Sequence, residues 1–138
     1  MSEMERRRAA TVKTMERFKG KAKQLSKGRS CVCMARAHLK NMGHNPPTVP
    51  RFRSTLGAKK ALKANGWASV EEMLDSLLPR IAPAQMLLGD VVTVPGEGGL
   101  DAVMICAGPF KLMGWREDAE GLVVLDIGMD EISGAWRA

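Results

Sequence analysis

Apolar residues in the first half of the chain recur mostly at helical spacing. From residue 4 to residue 18 they alternate with charged residues in a way that predicts an amphipathic helix. Ser30 is a suitable N-cap for a second helix over about residues 31–42. A short basic helix is predicted over residues 57–65, and a Ser-x-x-Glu capping box opens a fourth over residues 69–79.

The apolar period changes after the fourth helix from helical to strand-like. Four short strands are predicted, over residues 91–94, 101–107, 111–115 and 122–125. A closing turn or short helix over residues 130–136 is expected to cover an edge of the sheet. Helices followed by strands predict an α+β fold in which a small antiparallel sheet meanders after the N-terminal helices.

Charge divides the chain unevenly. Residues 1–66 hold 17 Lys/Arg against 3 Asp/Glu, a net +14, and residues 67–138 hold 4 against 12, a net −8. The Gly- and Lys-rich stretch over residues 19–29 is typical of a flexible connector. We therefore expect a basic amphipathic helix with its connector over residues 1–29 and an α+β domain over residues 30–138. No stretch reaches the roughly 20 apolar residues that a membrane span needs.

The basic half is compatible with three interpretations: an acidic partner, contact with the acidic half of the same chain, or solvated helix surfaces. The chain has no Tyr, three Phe and three Trp, and no zinc-finger spacing, which argues against a nucleic-acid partner. The candidate binding residues are basic side chains, expected at the surface, of the first helix and of the loop before the basic helix. They are Arg6, Arg7, Arg8, Lys13, Arg51 and Arg53.

Cys31 is the candidate catalytic residue. A cysteine in the first turn of a helix lies at the positive end of the dipole, which favours the nucleophilic thiolate. The alternative is that Cys31 is simply a small, buried, apolar residue. His38 lies two turns further along the helix and His44 follows its end, so neither is placed to act as its general base. Cys-x-Cys on a helix splays the sulfur atoms, so we expect no metal site.

The order of these features resembles the NlpC-type superfamily of papain-like cell-wall peptidases. There an Asp-Cys pair starts the helix, a Pro-Gly-Asp-Leu-Val element starts the sheet, and a His-Val-Gly-Ile-Tyr-Leu-Gly strand supplies the base. A closer resemblance, over residues 18–138, is to a phage and prophage branch of this fold. The stretches that carry the resemblance are Cys31–Leu39, Met42–Pro47, Pro50–Ser54, Leu77–Pro83, Leu87–Val92, Ala102–Gly108 and Ala135–Arg137.

The chain departs from the superfamily pattern at the positions that carry catalysis. Ser30, not Asp, precedes Cys31, and aligning Gly108 with the last glycine of the family strand puts Ala102 where the histidine belongs. Asp101 stands beside it. Neither replaces imidazole as a base for a thiol at neutral pH.

The resemblance implies a structural component of a phage tail tip or baseplate, built on a peptidase-like fold that has lost its machinery. Its expected partners are other tail-tip proteins (hub, distal tail and tape-measure neighbours) and peptidoglycan, with no cofactor. Its expected location is the virion, after synthesis in the bacterial cytoplasm. The alternative is an active peptidoglycan hydrolase with Cys31 as nucleophile. Whether the protein is an enzyme stays open, and the missing histidine favours the interpretation that it is not.

Overall fold

The computed structural model describes residues 2–22, 24, 28, 30–96, 100–115 and 121–138. Four α-helices come first and are followed by a six-stranded antiparallel sheet, which confirms the predicted α+β class. The helices are α1 (Glu3–Phe18), α2 (Cys31–Asn41), α3 (Thr55–Ala64) and α4 (Val70–Leu77). Residues 23, 25–27 and 29 of the predicted connector lie outside the described residues, as do residues 97–99 and 116–120 between predicted strands.

Every α-helix begins after a serine whose hydroxyl accepts a hydrogen bond from a backbone amide of the first turn. These N-cap residues are Ser2, Ser30, Ser54 and Ser69. The serine hydroxyl bonds a first-turn amide that has no carbonyl partner within the helix. Such a cap contributes about 1 kcal/mol to the stability of each helix. Local sequence therefore sets where the helices start, and all four predicted helices are confirmed to within two residues of their observed starts.

The sheet consists of β1 (Arg80–Ile81), β2 (Val91–Val94), β3 (Ala102–Gly108), β4 (Lys111–Gly114), β5 (Val123–Asp126) and β6 (Gly134–Trp136). Strands β2 to β5 form the predicted meander, and the strand order is β1-β6-β2-β3-β4-β5. The last element differs from the prediction, because only residues 129–131 form a short 3-10 helix. The segment that follows enters the sheet as β6 and pairs with both β1 and β2.

The two faces of the sheet pack against different elements. Val91 and Val103 face α2, α3 and α4 in the main core, together with Trp136. Met104 and Cys106 alternate with Val103 along β3 and lie on the opposite face. That second face is covered mainly by residues that follow β5, among them Ile127, Met129 and Ile132.

Helix α1 packs against α2 and is tied to the sheet. Its Arg7 is buried and forms an ion pair with Asp90, which is fully buried just before β2. The Arg7 guanidinium also donates to the carbonyl oxygens of Leu88 and Ala138. The division of the chain into a basic helix and a separate domain stays a prediction. In the structure, α1 contacts α2 and the residues next to the sheet. No described helix is both long and apolar enough to cross a membrane.

Candidate active-site cleft

A cleft of about 930 Å³ opens where β2 ends and β3 begins. Three kinds of side chain line it: the thiol of Cys31, an apolar floor and four carboxylates. The apolar lining comes from Val94, Leu100, Ala102, Met104, Trp115, Leu125, Ile127 and Ile132. The carboxylates are those of Asp101, Asp126, Asp130 and Glu131. Apolar walls with a few polar groups are typical of ligand-binding clefts.

Cys31 is the first residue of α2, as predicted, and its side chain is half-buried at the cleft. Ser30 is buried before it and accepts a hydrogen bond from the amide of Cys33 at 3.2 Å. The cap fixes the first turn, so the thiol is held at the positive end of the helix dipole. Arg29, which precedes the cap residue in the sequence, lies outside the described residues.

Asp101 lies just before β3 and lines the cleft together with Cys31. Ala102, where the resemblance places the histidine, packs against the second face. Burial raises the pKa of Asp101, and a hydrogen bond with Glu71 of α4 and the charge of Glu71 raise that pKa further. The carboxyl group therefore holds its proton to a higher pH than an ordinary aspartate.

Neither histidine lines the cleft. His38 is fully buried, with Nε2 2.8 Å from the carbonyl oxygen of Gly89 and Nδ1 2.7 Å from the hydroxyl of Thr14. A carbonyl oxygen only accepts, so Nε2 carries a proton, and burial favours the neutral form of the ring. Burial lowers the pKa of His38. His44 is exposed beyond the end of α2.

The described cleft contains a nucleophile without an imidazole base. Moving a thiol proton to an ordinary carboxylate is uphill by about 4 to 5 pK units, roughly 6 kcal/mol, whereas to imidazole it is uphill by about 2 units. Burial and Glu71 raise the pKa of Asp101, which narrows this gap for that carboxylate. Catalysis by the usual thiolate–imidazolium pair has no second partner among the described lining residues.

The other cysteines do not join Cys31 in a site. Cys33 packs against the main core, and Cys106 is buried on the second sheet face, where its thiol donates to the carbonyl oxygen of Gly108. Burial raises the pKa of Cys106. Among the described residues, no three His, Cys, Asp or Glu side chains are grouped closely enough to hold a metal ion.

The six predicted binding residues do not form one surface. Arg7 is buried in the ion pair with Asp90, so its guanidinium is not available at the surface. Arg6 pairs with Glu3 and donates to the carbonyl oxygen of Met42. The remaining four, Arg8, Lys13, Arg51 and Arg53, are exposed. Their role in binding stays a prediction.

Several lining residues were not identified from the sequence. Thr55 enters the cleft at the first position of α3, and Asp130 and Glu131 enter it from the 3-10 helix that follows β5. The sequence did contain a signal for Thr55. Ser54 caps α3 as Ser30 caps α2, so Thr55 occupies the same first helical position as Cys31. The carboxylates had no such signal, since only the return of β6 to β2 brings their segment over the sheet.

The fold of the chain is similar to that of NlpC/p60 domains. The structure is similar to the NlpC/p60 domain of the peptidoglycan hydrolase SagA, with a TM-score of 0.59 at 17% identity, over 95% of this chain and 98% of that chain. It is also similar to the peptidoglycan hydrolase RipB from Mycobacterium tuberculosis, with a TM-score of 0.60 at 15% identity, over 99% of this chain and 68% of that one. These likenesses show the fold.

Residues 2–138 match a protein-family model described as "Domain of unknown function (DUF6950)". The chain therefore belongs to the DUF6950 family, and the match includes α1. No curated protein sequence matches the chain.

Proposed function

We propose that the protein is a binding and assembly domain that uses the fold of a cell-wall hydrolase without peptidase chemistry. One observation carries this proposal: the cleft that holds Cys31 is lined by Asp101 and Ala102, and no histidine lines its described part. Removing the base from a nucleophile–base unit costs several orders of magnitude in rate. A cleft with an apolar floor keeps its capacity to bind after that loss.

The phage tail is the setting that the motif series supports. The stretches from Cys31–Leu39 to Ala135–Arg137 resemble a phage and prophage branch of the fold, whose members accompany tail-tip components. We propose that the protein is a tail-tip or baseplate component of the virion and contacts other tail proteins there. Peptidoglycan is a further candidate ligand, since the structural neighbours are hydrolases of that polymer.

The second candidate function is a peptidoglycan hydrolase with Cys31 as nucleophile. Its support is the position of the thiol, half-buried at the first residue of α2 and at the wall of the cleft. Asp101 would have to accept the thiol proton, and burial together with Glu71 raises its pKa towards that role. The two functions differ in one measurable property, which is turnover.

Replacement of the nucleophile separates the two functions. We expect purified protein to leave a murein suspension intact, and Cys31→Ser to behave in the same way. Cys33→Ser is the matched control, because it removes a thiol from the same helix without altering the cleft lining. If the proposed loss of peptidase chemistry is right, iodoacetamide should label Cys31 slowly at pH 6, at a rate close to that of a free cysteine, because little of an ordinary thiol is thiolate at that pH.

The binding function is contradicted if the wild-type protein and Cys33→Ser both clear murein while Cys31→Ser does not. In an infecting phage, Cys31→Ser should give normal particles with normal infectivity. Normal particles that fail to infect would favour the hydrolase instead.

A further inference from the structure

The outer face of α3 carries a large apolar side chain among cations. The helix packs inwards through Ala58, Ala61 and Leu62, and it presents Leu56 with 63% of its surface exposed. Lys60 lies one turn after Leu56 on the same helix face, and Arg53 lies three residues before Leu56 in the segment that leads into the helix. A single exposed leucine is common on protein surfaces, but beside cations it is suited to an apolar pocket that has an acidic rim.

Two cations of this face, Arg53 and Lys60, have no acidic residue close to them in sequence. The sequence holds 13 Lys/Arg and no Asp/Glu between residues 17 and 70. Within the part of the chain that the structure describes, neither Arg53 nor Lys60 belongs to an ion pair. Both side chains are exposed, so they are accessible to a second molecule.

The cleft has the complementary form. Its floor is apolar, with Met104 and Ile132 among its members, and its rim carries Asp130 and Glu131. Both rim carboxylates are exposed, and neither forms an ion pair with another described residue. A leucine between two cations is complementary to an apolar floor below two carboxylates, because apolar meets apolar and the charges are opposite.

We propose that two copies of this chain associate by inserting Leu56 of each copy into the cleft of the other. Arg53 and Lys60 then meet Asp130 and Glu131 of the second copy. Thr55 lines the cleft, and Leu56 is the next residue, so anchor and cleft lie side by side on one face. Adjacent complementary patches are brought together twice by a two-fold axis, which closes the assembly as a dimer.

This inference rests on the proposed binding function and names its partner. A copy seated in this way covers the cleft that holds Cys31, which an enzyme acting on a polymer would have to keep open. The dimer and the absence of turnover are nevertheless measured separately. A monomer that leaves murein intact would overturn the dimer alone, and a dimer that clears murein would overturn the proposed function alone.

Sedimentation velocity of the full chain at low and high salt, about 50 mM and 500 mM, tests the association. We expect a dimer at low salt, and a dissociation constant at least about ten-fold higher at high salt. Leu56→Asp and the double variant Arg53→Glu/Lys60→Glu should each weaken the dimer at least about ten-fold at low salt. The double variant Lys19→Glu/Lys40→Glu, an equal charge change at two exposed positions outside the anchor and the cleft, should leave the dimer unchanged.

The complementary variant Asp130→Lys/Glu131→Lys should also be monomeric by itself. An equimolar mixture of the two charge-reversed variants should form a mixed dimer, because each anchor then finds a cleft of opposite charge. Recovery in the mixture shows that both variants are folded. A monomeric wild type at low salt, a dimer that tolerates Leu56→Asp, or no association in the mixture would each overturn the proposal.

Discussion

At the residue scale, His38 shows how a histidine is kept out of catalysis. Its ring connects α1 to the segment before β2, through Thr14 on one nitrogen and Gly89 on the other. Asn41 donates to the same Thr14 hydroxyl at 2.9 Å, which extends the polar network across α1 and α2. With both nitrogens engaged and the ring fully buried, His38 stabilises the fold in its neutral form.

The burial of His38 gives stability a defined pH dependence. Burial lowers its pKa below the ordinary 6.5, so the unfolded chain binds a proton more readily than the folded chain. The free energy of unfolding should be largest above pH 6.5 and fall by up to about 1.4 kcal/mol per unit as the pH drops towards the folded-state pKa. Urea denaturation of the wild type and of His38→Gln at several pH values measures this pH dependence of the free energy of unfolding. Equal slopes between pH 7 and 5 would contradict the assignment.

At the element scale, the β3–β4 hairpin turns through a residue in an unusual conformation. Phe110 has a φ of 56°, in the left-handed region that L-residues other than Asn and Asp rarely adopt, and its ring is 58% exposed. Its carbonyl oxygen accepts a hydrogen bond from Ile127 after β5. The hairpin tip is thus fixed by its neighbours although its own residue is poorly suited to it.

Two substitutions at Phe110 measure this backbone strain. Phe110→Gly should be more stable than Phe110→Ala by about 1 kcal/mol, because glycine adopts a left-handed conformation without the Cβ clash. Both changes remove the ring, so their difference reports on the backbone alone. Urea denaturation gives the two free energies of unfolding. In an ordinary strand a glycine variant is less stable than the alanine variant. If Phe110→Gly is less stable than Phe110→Ala, residue 110 does not keep the left-handed conformation in solution.

Helix ends and most strands were predictable because their signals are local. Each helix has a serine cap, and the meander from β2 to β5 shows alternation or turn residues. The pairing of β6 was missed because Gly134-Ala135-Trp136 is too short to show a period. Its strand conformation depends on β1 and β2, which lie more than 40 residues away in sequence.

At the scale of the whole molecule, the candidate site was only partly predictable for the same reason. Cys31 was identified from its cap and its place in the helix, which are local features. Arg7 was assigned to a binding surface because its neighbours are charged, yet it is buried against Asp90, 83 residues further along the chain. A charge run in sequence does not say which of its members finds a buried partner in the fold.

The buried carboxylate of Asp90 joins the beginning, the middle and the last residues of the chain. It accepts hydrogen bonds from Arg7, from the amide of Leu87 and from both Arg137 and Ala138, all within 3.0 Å. Four donors compensate the loss of hydration that a fully buried carboxylate suffers. This network couples α1 to the sheet, so the stability of the whole fold should depend on it.

The adjacent arginines of α1 give a matched test of that dependence. Arg7→Met leaves part of the buried Asp90 charge uncompensated and should lower the free energy of unfolding by about 3 to 5 kcal/mol. Arg6→Met breaks an ion pair whose two side chains are 42% and 64% exposed, so a much smaller loss is expected. Urea denaturation of the two variants measures the difference. Equal losses would mean that α1 is held by apolar packing alone, whereas a much larger loss for Arg7→Met would make α1 an integral part of the cleft-bearing domain.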